Sequence, residues 1–120
     1  MLIPLIALAL LQAAQATRQP AAASNPFLIR ACQVSVQLHE ARTPAPNEEA
    51  MRFDIACVSY IQGFADAAAL TQTLCVKNVR TGTLAKEYLT YMERHPELLN
   101  QDRAFSLAAS IKENHPCTAK

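Results

Sequence analysis

Glycine is scarce and tryptophan is absent in this sequence: 2 glycines and no tryptophan occur among 120 residues. A β-sheet with many tight turns depends on glycine at those turns, so the scarcity argues against such a sheet. Alanine and leucine are instead abundant, and both are strong helix formers. The composition therefore favours an all-α fold.

Neither sign of charge is in excess, because 11 Lys and Arg stand against 10 Asp and Glu, a formal net charge of +1. Proteins that bind nucleic acids or anionic membrane surfaces usually carry clustered basic charge. The sequence has no basic stripe, so we expect neither nucleic acid nor a membrane surface as a partner.

The motifs of common catalytic and metal sites are also missing. The sequence has no C-x-x-C, no H-x-x-x-H, no glycine-rich phosphate loop and no G-x-S-x-G. Each of its three histidines lies near a predicted helix end, where capping or solvent-facing roles are more common than metal binding. Asp66 is the one charged residue well inside the longest predicted helix. Without a second carboxylate at a useful spacing, a surface carboxylate is favoured over a general acid or base. We expect no catalytic residue, no metal and no cofactor.

One long hydrophobic run is present, over residues 2–14, and a proline and a glutamine interrupt it. A membrane-spanning helix needs roughly 20 apolar residues, so a short membrane anchor is the weaker alternative. The run ends in an A-Q-A site, which is typical of a secretory signal cleaved after Ala16. We therefore expect residues 1–16 to be a signal peptide and the mature chain to be exported and free of the membrane.

Four cysteines follow this predicted signal, at Cys32, Cys57, Cys75 and Cys117. In an oxidising compartment an even number of cysteines usually forms disulfides, so no thiol is left as a nucleophile. Two disulfides in so small a domain contribute roughly 2–4 kcal/mol each to its stability. The cysteines are therefore predicted to be structural.

The remaining chain divides into an Ala/Pro/Ser-rich flexible segment, residues 17–24, and a helical domain, residues 25–120. The first helix is predicted to open with Asn25 as N-cap and Pro26 at its first position, and to end near Ala41. Its apolar positions at helical spacing are Phe27, Leu28, Ala31, Val34 and Leu38. The prolines within residues 43–46 prevent this helix from continuing.

The second helix is predicted from an Asn47 cap to about Leu74, with two glutamates in its first turn where the helix dipole favours negative charge. Gly63 lies inside this helix and is predicted to mark close packing of another helix. The apolar and small residues that define the period are Phe53, Cys57, Tyr60, Phe64, Ala67, Ala68 and Thr71.

Two further helices complete the prediction. The third begins near Thr83 and ends by His95, because Pro96 follows. The fourth begins at Asn100 or just after it and is stopped by the His115-Pro116 pair. Their predicted apolar faces are Leu84, Tyr88, Tyr91 and Met92 for the third, and Phe105, Leu107, Ala108 and Ile111 for the fourth. The expected fold is all-α, a small four-helix domain of two disulfide-stapled helical hairpins.

Helix geometry narrows the pairing of the cysteines. Cys57 and Cys75 would lie on the order of 25 Å apart along one helix, too far for a disulfide. Cys32 and Cys57 are at similar distances from the first interhelical turn, so they should face each other. The same argument pairs Cys75 with Cys117. Cys32–Cys75 together with Cys57–Cys117 remains the alternative.

One longer pattern carries a family resemblance. The motif C-x-x-Y-x-x-G-x-x-D is formed by Cys57, Tyr60, Gly63 and Asp66, and a cysteine follows nine residues later. The pairs and triplets Tyr88-Leu89, His95-Pro96-Glu97 and Pro116-Cys117 follow in order. This arrangement, over roughly residues 32–117, resembles the Rap/Tai immunity family, small helical periplasmic proteins that protect bacteria from peptidoglycan amidases delivered by type VI secretion.

The resemblance implies a periplasmic protein that neutralises an amidase by covering its active-site cleft, and a homodimer as the inhibitory unit. We expect the turn between the third and fourth helices, here called the 94–99 turn, to enter that cleft. It consists of Arg94, His95, Pro96, Glu97, Leu98 and Leu99. A proline-stiffened turn loses little entropy on binding. The alternative is that this turn only ends a helix and covers the core.

Two other functions are weighed against immunity. The first is a small periplasmic acid-stress chaperone that resembles the HdeA type, which would dissociate and bind many clients in acid. The second is a small exported enzyme, which the lack of a paired catalytic constellation disfavours.

Overall fold

A computed structural model describes residues 24–40 and 47–118, and in these ranges the chain is helical without a strand. The elements are α1 (Asn25–His39), α2 (Glu48–Thr71), α3 (Thr81–Arg94), a 3₁₀ turn (Pro96–Leu98) and α4 (Arg103–Asn114). The predicted all-α class is confirmed. The predicted signal peptide, all but the last residue of the 17–24 segment, and the 43–46 turn lie outside the described residues.

The first helix begins one position differently from the prediction. Ser24, not Asn25, is the N-cap, and its hydroxyl accepts a hydrogen bond from the Phe27 N–H at 3.4 Å. Asn25 is the first helical residue and is completely buried. The predicted cap is wrong by one residue, because a short polar side chain before proline suits both the cap and the first helical position.

The second helix has the predicted cap. The Asn47 side chain accepts from the Ala50 N–H at 2.8 Å, and the helix ends at Thr71 because Gln72 adopts the left-handed conformation with φ 55°. The prediction that Gly63 marks close helix packing is wrong within this chain. Gly63 is exposed, and a Cβ placed there would meet nothing within 4 Å.

The third and fourth helices keep their predicted ends but not their predicted starts. Helix α3 begins at Thr81, two residues early, and all four predicted apolar residues of its face are buried. Helix α4 begins at Arg103, because the chain first forms the 3₁₀ turn and Asp102 then caps the helix by accepting from the Ala104 N–H at 2.9 Å. Phe105, predicted to face the core, is 58% exposed.

The core lies between the two hairpins. Helix α1 packs on α2, α3 packs on α4, and α1 also contacts α3. The largest completely buried apolar side chains are Leu28, Ile61, Leu84, Tyr88, Leu107 and Ile111. No helix among the described residues has the length and apolar content that crossing a bilayer demands.

Each hairpin is closed by one disulfide. Cys32 is joined to Cys57, with Cα atoms 5.0 Å apart, and Cys75 to Cys117, with Cα atoms 5.3 Å apart. This is the pairing that the hairpin geometry favours. The first bridge is buried and links α1 to α2, whereas both cysteines of the second are exposed. The loops they close have sequence separations of 25 and 42 residues. Such loops stabilise the fold by about 3.5 and about 4 kcal/mol in the chain-entropy model.

Candidate partner-binding turn

The 94–99 turn joins α3 to α4 at one end of the second hairpin. Its outward-facing residues are Arg94, Pro96, Glu97 and Leu99, all exposed, while His95 and Leu98 are half-buried. Leu98 packs against the core, so it covers the core as the alternative interpretation expected. Leu99 is 38% exposed and is the one large apolar side chain that the turn offers to a partner.

Ion pairs and ring stacking fix the first half of the turn. The Arg94 guanidinium makes two hydrogen bonds to the Glu113 carboxylate of α4, at 3.2 and 3.1 Å. The His95 ring stacks on Tyr91 with ring centres 4.2 Å apart, and its Nδ1 lies 3.0 Å from Glu97 Oε1. Such two-point and stacked contacts restrict several side-chain rotamers before any partner arrives.

The Glu97 carboxyl is held in its charged form by two hydrogen bonds. The first and larger cause is a bond from the backbone N–H of Glu97 itself, and the second is a bond from the His95 ring. Together they lower the pKa of Glu97 below its ordinary value of 4.5. The exposed face of the turn therefore carries a negative charge beside Leu99 at neutral pH.

Asn25, buried at the start of α1, holds the second half of the turn through hydrogen bonds. Its side-chain Nδ2 donates to the Leu98 carbonyl at 3.0 Å and to the Gln101 carbonyl at 2.8 Å. The Ser106 hydroxyl is a further acceptor, 3.0 Å away. The Tyr88 hydroxyl donates to Asn25 Oδ1 at 2.7 Å, and burial raises the pKa of that hydroxyl. The start of α1 is thus joined to both sides of the exposed Leu99.

A backbone contact brings the start of α1 to the same place. Ser24 forms an isolated antiparallel bridge with Asp102, the N-cap of α4. The turn, the start of α1 and the start of α4 therefore meet at one end of the molecule. A single bridge has no periodicity, so nothing in the sequence predicts it.

The motif residues that carried the resemblance do not form one site. Tyr60 faces α4, where the Arg103 guanidinium lies 3.8 Å from the centre of its ring. Burial raises the pKa of the Tyr60 hydroxyl, and the neighbouring Arg103 charge opposes that rise. Gly63 and Asp66 instead lie on the exposed surface of α2.

The exposed surface of α2 is a second candidate for partner contact, here called the α2 face. Its large apolar side chains are strongly exposed: Met51 by 51%, Ile55 by 62% and Leu70 by 86%. The small residues Ser59 and Gly63 lie between them. A run of exposed apolar side chains on one helix face is typical of a protein contact surface.

Each histidine lies beside a carboxylate. His39 Nε2 is 3.0 Å from Asp54 Oδ1, and His115 Nε2 is 2.7 Å from Glu87 Oε2; the third pair is the one within the turn. Among residues 24–40 and 47–118, no three His, Cys, Asp or Glu side chains are grouped so that they could hold a metal ion.

The sequence predicts the position of the 94–99 turn between two helices but not the residues that support it. The sequence predicts Asn25 as a cap, whereas in the structure its side chain donates to the Leu98 and Gln101 carbonyls. The exposure of Ile55 and Leu70 was also missed. Their spacing on α2 was a usable signal, because Ile55 and Leu70 fall on the side of the helix opposite to Cys57 and Ile61.

The comparison with protein families covers nearly all of the described structure. The sequence model of the Rap1a immunity proteins matches residues 24–117. The matched region begins at the cap of α1 and ends at the last cysteine, so it includes all four helices, both disulfides and the 94–99 turn. No curated protein and no solved structure matches the chain. The chain belongs to the Rap1a immunity protein family.

Proposed function

We propose that this protein neutralises a peptidoglycan amidase delivered by type VI secretion, by binding over the amidase's active-site cleft. Membership of the immunity family implies a cognate effector as partner. The amidase as target comes from the Tyr60-Gly63-Asp66 pattern and its flanking cysteines, which resemble the Rap/Tai proteins. On this proposal the chain carries out no chemistry of its own; it excludes substrate.

The observation that carries the proposal is the ordered 94–99 turn. Three exposed groups with different chemistry, the Glu97 carboxylate, the Pro96 ring and the Leu99 side chain, lie on a turn that is held from both ends. A turn that is ordered before binding loses little conformational entropy in the complex, so more of the contact energy appears as affinity. Its apolar tip beside a charge suits a cleft with an apolar wall and a polar rim.

The disulfides support a periplasmic location. Disulfides persist in oxidising compartments and are rare in the reducing cytosol. Among the described residues no cysteine is free, and one bridge is exposed, where cytosolic reductants would reach it. The predicted signal peptide, residues 1–16, would deliver the chain to the same compartment.

A homodimer through the α2 face is part of the proposal. Two copies of α2 can be set antiparallel about a two-fold axis midway between Gln62 and Gly63. In that register Ile55 lies opposite Leu70 of the partner subunit, and Ser59 lies opposite Asp66 of the partner subunit. The exposed Ile55 and Leu70 side chains then meet each other, and the Asp66 carboxylate meets a hydroxyl donor. This self-complementarity is what a two-fold interface requires. Gly63, with open space above it, allows the helices to approach closely.

Sedimentation of the mature chain tests the dimer. We expect a dimer for the wild type and a monomer for Leu70→Asp, because a buried unpaired carboxylate opposes association. Thr83→Asp adds the same charge at an exposed position on α3 and should leave the dimer intact. A wild-type monomer at about 100 μM, well above the dissociation constants of stable dimers, would remove this part of the proposal.

The acid-stress chaperone remains a second candidate because of the His–carboxylate pairs. The pair at His39 links α1 to α2, and the pair at His115 links the end of α4 to α3. A chaperone of this kind would suppress the aggregation of unrelated proteins at low pH. An immunity protein would not, and it would bind one effector at neutral pH.

Co-purification at neutral pH tests the proposed function. The mature chain should retain one peptidoglycan amidase effector out of those encoded in the same genome, and an adjacent gene is the first to try. Leu99→Asp should lose most of that binding, because it places a charge in an apolar contact, whereas Thr83→Asp should bind as wild type. If wild type retains none of these amidases, the proposal fails.

A further inference from the structure

The most unusual side chain in the described structure is a fully buried asparagine with every polar group in use. Asn25 is 0% exposed, and its amide donates to two backbone carbonyls while its oxygen accepts from the Tyr88 hydroxyl. A buried amide needs such partners, because an unsatisfied one is strongly unfavourable. The Tyr88 bond also decides which way the amide points, since a hydroxyl that donates to Oδ1 leaves Nδ2 facing the carbonyls.

The two carbonyls lie near the end of the 94–99 turn and just after it, where the chain has little structure of its own. Three backbone hydrogen bonds close it, and each runs from an N–H to the carbonyl three residues earlier: Leu98 to His95, Leu99 to Pro96 and Gln101 to Leu98. Short 3₁₀ segments with few hydrogen bonds fray easily. Asn25 links the carbonyls of Leu98 and Gln101 to α1, one on each side of the exposed Leu99.

We infer that Asn25 is a positioning residue for partner binding: through the Leu98 and Gln101 carbonyls it holds Leu99 and Glu97 in the conformation that the partner meets. The inference rests on the proposed function for its binding part and on the structure alone for its ordering part. Tyr88 contributes to the same positioning, because its hydroxyl fixes the orientation of the Asn25 amide.

Two variants separate ordering from folding. Asn25→Asp keeps the size of the side chain but replaces the donor Nδ2 with an oxygen, which repels both carbonyls. Tyr88→Phe is milder, because it keeps the buried ring and removes only the hydroxyl. Ser35→Ala is the matched control: Ser35 is also buried, and its hydroxyl donates to Asp54 at 2.6 Å, on the side of α1 that faces α2.

Hydrogen exchange of the free mature chain measures the ordering. The amides of Leu98, Leu99 and Gln101 should exchange about tenfold faster in Tyr88→Phe, and faster still in Asn25→Asp, while the amides in the middle of α2 keep their wild-type rates. Ser35→Ala should leave these three amides unchanged. Unchanged exchange at all three in both variants would overturn the inference, even if the proposed function were correct.

Affinity for the co-purified amidase effector measures the consequence for binding. We expect Tyr88→Phe to dissociate about tenfold faster from the amidase than wild type, because a less ordered turn holds its contacts less firmly and affinity changes appear mostly in the dissociation rate. Ser35→Ala should bind as wild type even where its melting temperature falls as much. Faster exchange with unchanged affinity would overturn the positioning role alone. Failure of the wild type to bind any amidase would instead overturn the proposed function, and the exchange result would still decide whether Asn25 orders the turn.

Discussion

The guanidinium carbon of Arg103 lies 3.8 Å from the centre of the Tyr60 ring. Arg103 is the first residue of α4, and Tyr60 is in the middle of α2, so this contact joins the two hairpins outside the core. It also gives a structural reason for a tyrosine in the motif that carried the family resemblance. A cation over an aromatic face is attracted by the ring's negative centre.

Removing either partner of this contact should lower stability. We expect Arg103→Ala to lower the free energy of unfolding by about 1 kcal/mol. In a double-mutant cycle with Tyr60→Leu, most of that loss should appear as interaction free energy between the two side chains. Urea unfolding measures it. Arg30, whose guanidinium carbon lies 5.7 Å from the Phe53 ring, is the control, and Arg30→Ala should cost less. Coupling near zero for Arg103 and Tyr60 would contradict this account of the motif.

The two disulfides should differ in how easily they are reduced. Cys32 and Cys57 are 0% exposed, whereas Cys75 and Cys117 are both at the surface. Exchange with a thiol requires access to a sulfur atom, so a mild reductant should open Cys75–Cys117 first. Alkylation followed by peptide mass spectrometry gives the order. Labelling of Cys32 and Cys57 before the other pair would show that the first hairpin opens in the native state.

Gly63→Ala should stabilise the isolated subunit. Gly63 lies inside α2 with open space at its Cβ position, so alanine adds helix propensity of about 1 kcal/mol without a clash. Urea unfolding at a concentration where the chain is monomeric gives the value. Gly82→Ala, also in open space but in the first turn of α3, should gain less. A loss of stability in Gly63→Ala would mean that the α2 surface is not free in the monomer.

Glu97 should contribute to stability at neutral pH and lose that contribution in acid. Its pKa is lower in the folded chain than in the unfolded chain, so the contribution is complete above 4.5 and is lost as the pH falls through the folded pKa. His95→Ala should raise the pKa of Glu97 only part of the way, because the bond from its own backbone N–H is the larger cause.

Carboxyl-carbon NMR titration checks this directly. His39→Ala, which removes a histidine paired with Asp54 instead, is the control and should leave the Glu97 midpoint unchanged. A Glu97 midpoint that returns fully to 4.5 in His95→Ala would mean that the backbone bond does not form in solution.

The fold was predictable from the sequence because helices show a regular spacing of apolar residues and recognisable residues at their ends. The Asn47 cap, the Pro96 stop and the buried face of α3 all follow from local rules. The disulfide pairing needed only the additional fact that two helices joined by a short turn run antiparallel. The position of the 94–99 turn was predictable as well, because a proline and a charge pattern between two helices are visible in one sequence, and its contact with a partner stays a prediction.

The supports of the turn could not be predicted, because they depend on residues far apart in the chain. Asn25 and Leu98 are 73 residues apart, and no periodicity connects a buried asparagine with the carbonyl that it binds. Gly63 shows a different limit of prediction from sequence. A glycine in a helix indicates that a neighbour can approach closely, but the sequence does not say whether that neighbour is in the same chain.

Peptidoglycan hydrolysis by the co-purified amidase, measured against added mature chain, tests the central claim most directly. If the chain occludes the active site through the 94–99 turn, hydrolysis should fall to background near one chain per amidase. Leu99→Asp should need at least about tenfold more protein, as expected for loss of a central apolar contact, while Thr83→Asp should inhibit as wild type. Undiminished hydrolysis with wild-type protein in excess, although the two proteins bind, would contradict the account.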